Sequence, residues 1–477
     1  MLVFLAIGHA LVVVAFTARI LLRDDLSPPA RLAWFIVINL VPYLGSASYF
    51  LFGEVDVGHR ASAQRKQISE DLRQIVGDVA GEPGASRSLI HESYAPAFRY
   101  AASINGFNPV AGNKAELMGT PAETVERMVQ DIDQATDHVH VLYYIWLDDQ
   151  TGTSLAEALI RACARGVTCR AMADGLGSRA LIASQLWDRM KNAGVQLAVS
   201  LPLDKPLLTL LTSRIDLRNH RKITVVDGAI TYCGSRNSAD PEFRPKPKFA
   251  PWVDIMLRFE GPVVAQNQLL FLGDWMAATG EVFENVPSKT RAFERGFPAL
   301  AIGDGPTIRR AATPQLFCIL IACARDEITI STPYFVPDAT LLDALCTAAH
   351  RGVRVTLVFP AQNDSWIVAA ASRSYYRRLL EAGCSIHEYY GGLLHAKTFV
   401  MDHQVSMIGS SNLDLRSFDL NYENNILFQD HATSQSIRAR QEEYIAHSEP
   451  VGLSDVLGWS RPQRIWQNVV ATVGPIL

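Results

Sequence analysis

The sequence predicts an α/β chain of two similar lobes related by a pseudo-twofold axis, preceded by a two-helix transmembrane hairpin. Three observations carry that expectation: a strand–helix–strand unit that occurs twice, a spaced His-x-Lys motif that closes each copy, and two uncharged apolar stretches at the N-terminus. The chain has 477 residues, 48% hydrophobic and 19% charged, which suits two or three globular domains.

The N-terminal stretches come first. Residues 1–17 carry no formal charge, and residues 32–53 are again charge-free. Each is about the length that crosses ~30 Å of hydrocarbon as a helix. Between them RDDLSPPAR holds a Pro-Pro break that turns the chain into a hairpin over residues 1–58. A cleaved signal peptide is disfavoured, because neither a basic start nor a small-residue cleavage site is clear. The second stretch contains Asn39, Pro42, Tyr43 and Gly45, so a re-entrant hairpin is an alternative. Arg19, Arg23 and Arg31 lie at the hairpin turn, and Arg60, Arg65, Lys66 and Arg73 follow it. The positive-inside count then favours a cytoplasmic catalytic part. The seven cysteines agree: their number is odd, and they form no CxxC or zinc pattern.

Residues 59–115 read as a connecting segment with one helix near 61–79. The first lobe is expected over 116–290. Its strand VHVLYYIW ends in aromatic residues, and a helix at 154–164 puts Leu155, Ala158, Leu159 and Ala162 on one face. Arg165-Gly166-Val167 and a second β-rich run follow. The second lobe, over 300–450, repeats this with ITISTPYF, a helix, Arg351-Gly352-Val353 and VTLVF. Gly166 and Gly352 are placed as helix stops, and the short crossovers imply parallel strands with right-handed connections. Residues 451–477 read as a tail, with Ile465, Trp466, Val469, Val470 and Val473 at the spacing of an amphipathic helix that either lies in a membrane interface or packs on the domain.

Each lobe ends on the same motif. His220, Lys222, Asp227, Gly234, Ser235 and Asn237 recur at the same offsets as His395, Lys397, Asp402, Gly409, Ser410 and Asn412. His and Lys two apart in a strand point to one face. Two such copies meeting on a twofold axis bring two His, two Lys and two Asn together. Lysines and amides suit the non-bridging oxygens of a phosphodiester. Imidazole can attack phosphorus or carry protons near neutral pH. The Gly-Ser turns at Ser235 and Ser410 let backbone and amide approach the phosphate. No acidic cluster demands a metal, and no cofactor is expected. The other ten histidines, His138 and His140 among them, read as structural.

These residues resemble the HKD motifs of the phospholipase D superfamily. The chain resembles bacterial cardiolipin synthases more closely, through PARLAWFIVINLVPYLG near the N-terminus, Arg218-Asn-His-Arg-Lys222, Trp252-Val-Asp254, Gly273-Asp-Trp275, Thr332-Pro-Tyr-Phe-Val-Pro337 and the run from Asn412 to Glu423. The resemblance implies a phosphatidyltransferase of the bacterial inner membrane with phosphatidylglycerol as substrate. It implies His220 as nucleophile and His395 as acid/base, with Glu423 orienting His220 and Asp254 orienting His395. Lys222, Lys397, Asn237 and Asn412 would hold the phosphate, and Asp227 and Asp402 would support the catalytic set from a strand end. The expected reaction is cardiolipin synthesis. The alternative is a phospholipase D releasing phosphatidic acid, and a non-enzymatic lipid-binding protein is a third class. Nucleic acid is not an expected partner, since 48 acidic residues outnumber 44 basic ones. Residues 201–211, LPLDKPLLTLL, are either a membrane-dipping loop or a core segment.

Overall fold

The computed structural model describes all residues except 1, 25, 27, 54–58, 204–215, 287–288 and 473–477. Its described residues fall into two compact units, Met1–His59 and the larger remainder from Arg60. The segment 201–211 lies mostly outside the described residues.

The first unit is helical. Helix α1 (Leu2–Leu21), α2 (Pro28–Leu40) and α3 (Pro42–Ser48) meet around buried Ile20, Ile38 and Tyr49, with Trp34 edge-on to Tyr49 at 5.3 Å. Pro28 starts α2 and Pro42 starts α3, where a missing N–H is tolerated. A Cβ on Gly45 would lie 2.7 Å from the Val37 carbonyl oxygen, so the close approach of α3 to α2 needs glycine there. Leu11, Val14, Leu22, Leu32, Leu40 and Leu44 remain more than half exposed. Among the described residues no helix is long and apolar enough to cross a membrane. The fold therefore shows a helical hairpin with an apolar outer surface.

The second unit is built on one sheet. Its first half holds β1 (Val110–Leu117), β2 (His138–Tyr143), β3 (Thr168–Asp174), β4 (Gln196–Ser200), β5 (Arg218–Asn219), β6 (Lys222–Val226), β7 (Ile230–Gly234), β8 (Trp252–Val253) and β9 (Met256–Glu260). The second half holds β10 (Phe297–Asp304), β11 (Glu327–Ser331), β12 (Phe335–Val336), β13 (Arg354–Pro360), β14 (Ser385–Tyr389), β15 (Leu393–Leu394), β16 (Thr398–Met401), β17 (Val405–Gly409), β18 (Leu413–Asp414), β19 (Asn421–Gln429) and β20 (Ser448–Pro450). The order is β20-β14-β13-β11-β16-β17-β19-β10-β1-β9-β7-β6-β2-β3-β4. Leaving edge strand β20 aside, the two halves mirror each other about the antiparallel β1–β10 pair. Strands β2 and β3, like β11 and β13, are parallel across a helical crossover. Helix α4 (His59–Val76) and α5 (Ala95–Asn105) precede β1, and α6 (Gln150–Ala164) is the first crossover. Asp149 caps α6 through the Gly152 N–H, and Leu155, Ala158, Leu159 and Ala162 are buried. Helix α7 (Val263–Thr279) is buried along most of its length, its polar Gln266, Asn267, Gln268 and Asp274 included.

The segment 59–115 does more than connect. Strand β1 begins at Val110, ahead of the boundary expected at 116, and α5 buries Ala97, Phe98 and Ala101 in the core of the second half. The helix expected near 61–79 runs from His59 to Val76 and continues as a 3₁₀ turn, Gly77–Ala80.

Candidate active site

The two His-x-Lys motifs lead into β6 and β16: Lys222 opens β6, Lys397 immediately precedes Thr398 of β16, and each of these strands forms a tight hairpin with the next, β7 or β17. At the turns, Asp227 and Gly228 have φ of +54° and +60°, and Asp402 and His403 have +51° and +50°. Two successive positive φ values match the right-handed twist of a hairpin. The two motif aspartates sit at these turns, away from the histidines. Asp227 accepts N–H bonds from Thr136, Asp137 and His138 at 2.8–3.2 Å. Asp402 accepts from Arg325, Asp326 and Glu327 at 2.8–3.3 Å, and from the Tyr94 hydroxyl. Each carboxylate thus ties a motif hairpin to the chain entering the neighbouring strand, β2 or β11. Its backbone hydrogen bonds hold Asp227 below the ordinary carboxylate range, against the opposing effect of burial.

The chain just before each histidine crosses to the other half. Strand β5 pairs with β19, and β15 pairs with β8. The His220 N–H then donates to the Tyr422 carbonyl at 2.9 Å, and the His395 N–H to the Val253 carbonyl at 2.8 Å. In both cases the next residue is an acid. His220 Nδ1 lies 2.9 Å from Glu423 Oε2, and His395 Nδ1 lies 2.6 Å from Asp254 Oδ1. A carboxylate can only accept, so each Nδ1 carries the proton and the neutral ring keeps its lone pair on Nε2.

The serines expected near the phosphate bond these acids instead. Ser235 Oγ donates to Asp254 at 2.6 Å, and Ser410 Oγ donates to Glu423. Glu423 also accepts from Ser417 Oγ at 3.0 Å and Asn421 Nδ2 at 3.2 Å. Both acids are held below the usual carboxylate range: burial pushes them up, but the partner imidazoles and nearby ammoniums outweigh it.

Lys222 and Lys397 are buried, and each Nζ donates to the carbonyl of its own motif histidine, at 2.6 and 2.7 Å. Burial pushes Lys222 down to about 8 and Lys397 to about 7, despite the facing acids. Burial lowers His220 to about 4, with Glu423 opposing and both lysines adding to the fall. His395 is lowered as well, by burial first and then by both lysines. Each lysine acts on both imidazoles, so the four basic groups form a single electrostatic cluster.

Both histidines line one cavity of about 660 Å³, together with Asn237 and Asn412. The Asn237 Oδ1 accepts from the Ile145 N–H at 3.3 Å, while the Asn412 Nδ2 donates to Ser417 Oγ at 3.1 Å. Sequence reasoning missed the aromatic walls. Tyr144 meets His220 edge-on at 5.0 Å, Tyr334 meets His395 at 6.4 Å, and Trp252 lies against His395 at 4.6 Å. The signal was present, since an aromatic residue follows the corresponding strand in each repeat. Beneath β5, Asp274 binds Arg65 at 2.8 Å, Arg221 at 2.9 Å and Asn219 at 2.8 Å, which fixes the backbone on either side of His220. His138 and His140 lie buried on β2, remote from this arrangement, with His140 stacked on Phe271 at 4.7 Å. Among the described residues no cluster of acids, histidines and cysteines could hold a metal.

Comparison with known proteins gives a consistent set of relatives. A family model described as cardiolipin synthase, phospholipase D-like domain matches residues 128–246 and 317–445, one match in each half. A second model, described as phospholipase D-nuclease N-terminal, matches residues 10–54. Cardiolipin synthase A of Edwardsiella ictaluri is 34% identical over 469 residues, 97% of this chain and 95% of the relative. Cardiolipin synthase A of Yersinia pseudotuberculosis is 32% identical over 467 residues with the same coverage. The crystal structure of a phosphatidylserine synthase from Haemophilus influenzae superposes with a TM-score of 0.61, covering 80% of this chain and all of that one, at 14% identity. At that identity the likeness is one of fold.

Proposed function

The chain belongs to the cardiolipin synthase family of phospholipase D-like proteins, and from that premise we propose that it joins two phosphatidylglycerols into cardiolipin with release of glycerol. The observation that supports this best is the crossed pair of imidazoles: each takes its carboxylate from the opposite half, and both open on one cavity with two buried lysines beside it.

In the first step His220 Nε2 attacks phosphorus of one phosphatidylglycerol. The P–O bond to the headgroup breaks, and His395 gives its proton to the departing glycerol oxygen. The negative phosphodiester raises the His395 pKa as it binds, so that proton arrives with the substrate. The result is a phosphatidyl-His220 intermediate. In the second step His395 takes the proton from a headgroup hydroxyl of a second phosphatidylglycerol. That oxygen attacks phosphorus, the P–N bond breaks, and cardiolipin leaves. Splitting the exchange this way replaces one difficult displacement with two easier ones. Lys222, Lys397, Asn237 and Asn412 hold the non-bridging oxygens. Glu423 and Asp254 keep each imidazole in the tautomer that presents Nε2. Asp227 and Asp402 support the site from the hairpin turns.

Residues 1–58 are the membrane anchor in this reading, a multi-pass hairpin in the bacterial inner membrane with the catalytic lobes, 116–290 and 300–450, on the cytoplasmic side. Support comes from the apolar outer surface of α1–α3 and the family match at 10–54. Carbonate extraction of membranes tests the anchor: release of the chain into the wash would remove it. The covalent step is tested by acid-free quenching after mixing with acyl-labelled phosphatidylglycerol. Label on the peptide containing His220 is expected. Label on His395 would reverse the two roles, and unlabelled protein would remove the intermediate.

A further inference from the structure

Two segments far apart in sequence build an exposed apolar ridge beside the cavity. Helix α8 (Trp366–Arg373) begins immediately after Ser365, and Ser365 and Val368 both line the cavity that holds the histidines. Helix α9 (Arg461–Thr472) packs on α8 through Val470, which is buried with Val336 and Ala371. The indole of Trp466 stacks on that of Trp366 at 5.7 Å and 10° between planes. Both remain open: Trp366 is 64% exposed and Trp466 50%.

The sidedness of α9 is inverted for a helix in water. A surface helix turns its apolar stripe to the core. Here Gln467 is buried, while Ile465, Trp466 and Val469, at i, i+1 and i+4, face outward. From Val456 to Leu477 the chain holds two arginines, Arg461 and Arg464, and no acidic residue.

We propose that the Trp366–Trp466 ridge, with Ile465 and Val469, docks on the headgroup region of an anionic phospholipid bilayer and sets the cavity mouth against it. Three features select this occupant over a protein partner. Tryptophan and arginine on one amphipathic helix match the interface between headgroups and acyl chains. The net positive charge of α9 complements an anionic lipid surface. The ridge also continues into the cavity wall, since Trp366 lies between Ser365 and Val368, which line it, so the surface that meets the bilayer is continuous with the path a lipid takes to His220 and His395. The inference rests on the lipid reading of that cavity. It adds a second membrane contact, separate from the N-terminal hairpin, that delivers the substrate.

The test uses the full chain in vesicles of equimolar phosphatidylglycerol and phosphatidylcholine. The emission difference between the wild type and Trp366→Phe/Trp466→Phe isolates the two indoles. Phosphatidylcholine brominated near the headgroup end of its chains should quench that difference by about twofold or more. In turnover, Ile465→Ser/Trp466→Ser/Val469→Ser should lose about tenfold on vesicle phosphatidylglycerol and less than about twofold on the dihexanoyl lipid kept below its micelle concentration. Unquenched difference emission overturns the proposal, as does an equal loss on both substrates. A wild type inactive on both lipids strikes the transferase reading alone, because the quenching does not depend on turnover.

Discussion

Glu423 and His220 are 203 residues apart in sequence and 2.9 Å apart in space. Asp254 and His395, separated by 141 residues, repeat the relationship in the opposite direction at 2.6 Å. Each motif histidine thus takes its carboxylate from the opposite half. The short β5–β19 and β8–β15 pairings make the exchange, since each sets the histidine N–H on the carbonyl just before the other half's acid. Removing one acid should therefore disable chemistry whose histidine belongs to the other half's motif.

Glu423→Gln keeps the shape and removes the charge that fixes the Nδ1 proton. Turnover should fall by about 10²- to 10⁴-fold, by the logic of a catalytic triad. Asp254→Asn should fall comparably. Steady-state product formation measures both, and a loss smaller than about threefold in either would show that the pairing is not used.

His395 and the two lysines together set the alkaline limb of the pH profile. Their ammonium forms bind the phosphodiester, and in the free enzyme burial brings Lys397 to about 7 and Lys222 to about 8. As pH rises through these values both lose protons, so kcat/KM falls. His395, which must deliver a proton, shifts in the same direction. Bound phosphodiester favours the charged lysines, so kcat should hold to higher pH than kcat/KM. A kcat/KM that still climbs at about pH 9 would contradict this assignment.

The motif aspartates should matter for stability. Asp227→Ala or Asp402→Ala strands at least three backbone N–H groups and should cost about 2–4 kcal/mol in denaturant unfolding. Turnover per folded molecule should stay within about threefold of wild type. For Asp227 the sign with pH follows from its lowered pKa. The contribution is complete above the unfolded value, about 4, and is lost as pH falls through the lower folded value. A turnover loss as large as that of the histidine variants would place these acids in the chemistry.

Asp274 is the buried anion between Arg65 and Arg221. Asp274→Ala leaves two guanidiniums without their shared acid and should cost about 3–5 kcal/mol. Chemical denaturation reads this directly, and a change below about 1 kcal/mol would show that the arginines find other partners.

Much of this architecture was legible because it is periodic. The β2–α6–β3 unit and its counterpart after β11 show strand alternation, a helical apolar stripe and a glycine stop at fixed distances. The doubled spacing from His220 to Asn237 and from His395 to Asn412 pointed to one shared pocket. What stayed hidden is non-local. Two-residue strands such as β5 and β8 carry no pattern, so the exchange between halves entered only through family resemblance, as did the roles of Glu423 and Asp254. Ser235 and Ser410 looked like phosphate ligands because they follow glycine in the motif, yet their hydroxyls turn to the acids. Arg65 sits in a segment that reads as a polar linker, and nothing local marks its burial against Asp274. Tyr144 and Tyr334 were visible as repeated aromatics, but an aromatic at a strand end is more often core than pocket wall.

The most direct measurement is product analysis with purified chain and labelled phosphatidylglycerol in mixed micelles, beside His220→Ala and His395→Ala. The account predicts cardiolipin and free glycerol in equal amounts from the wild type and neither from the variants. Cardiolipin from either variant, or phosphatidic acid as the main wild-type product, would contradict it.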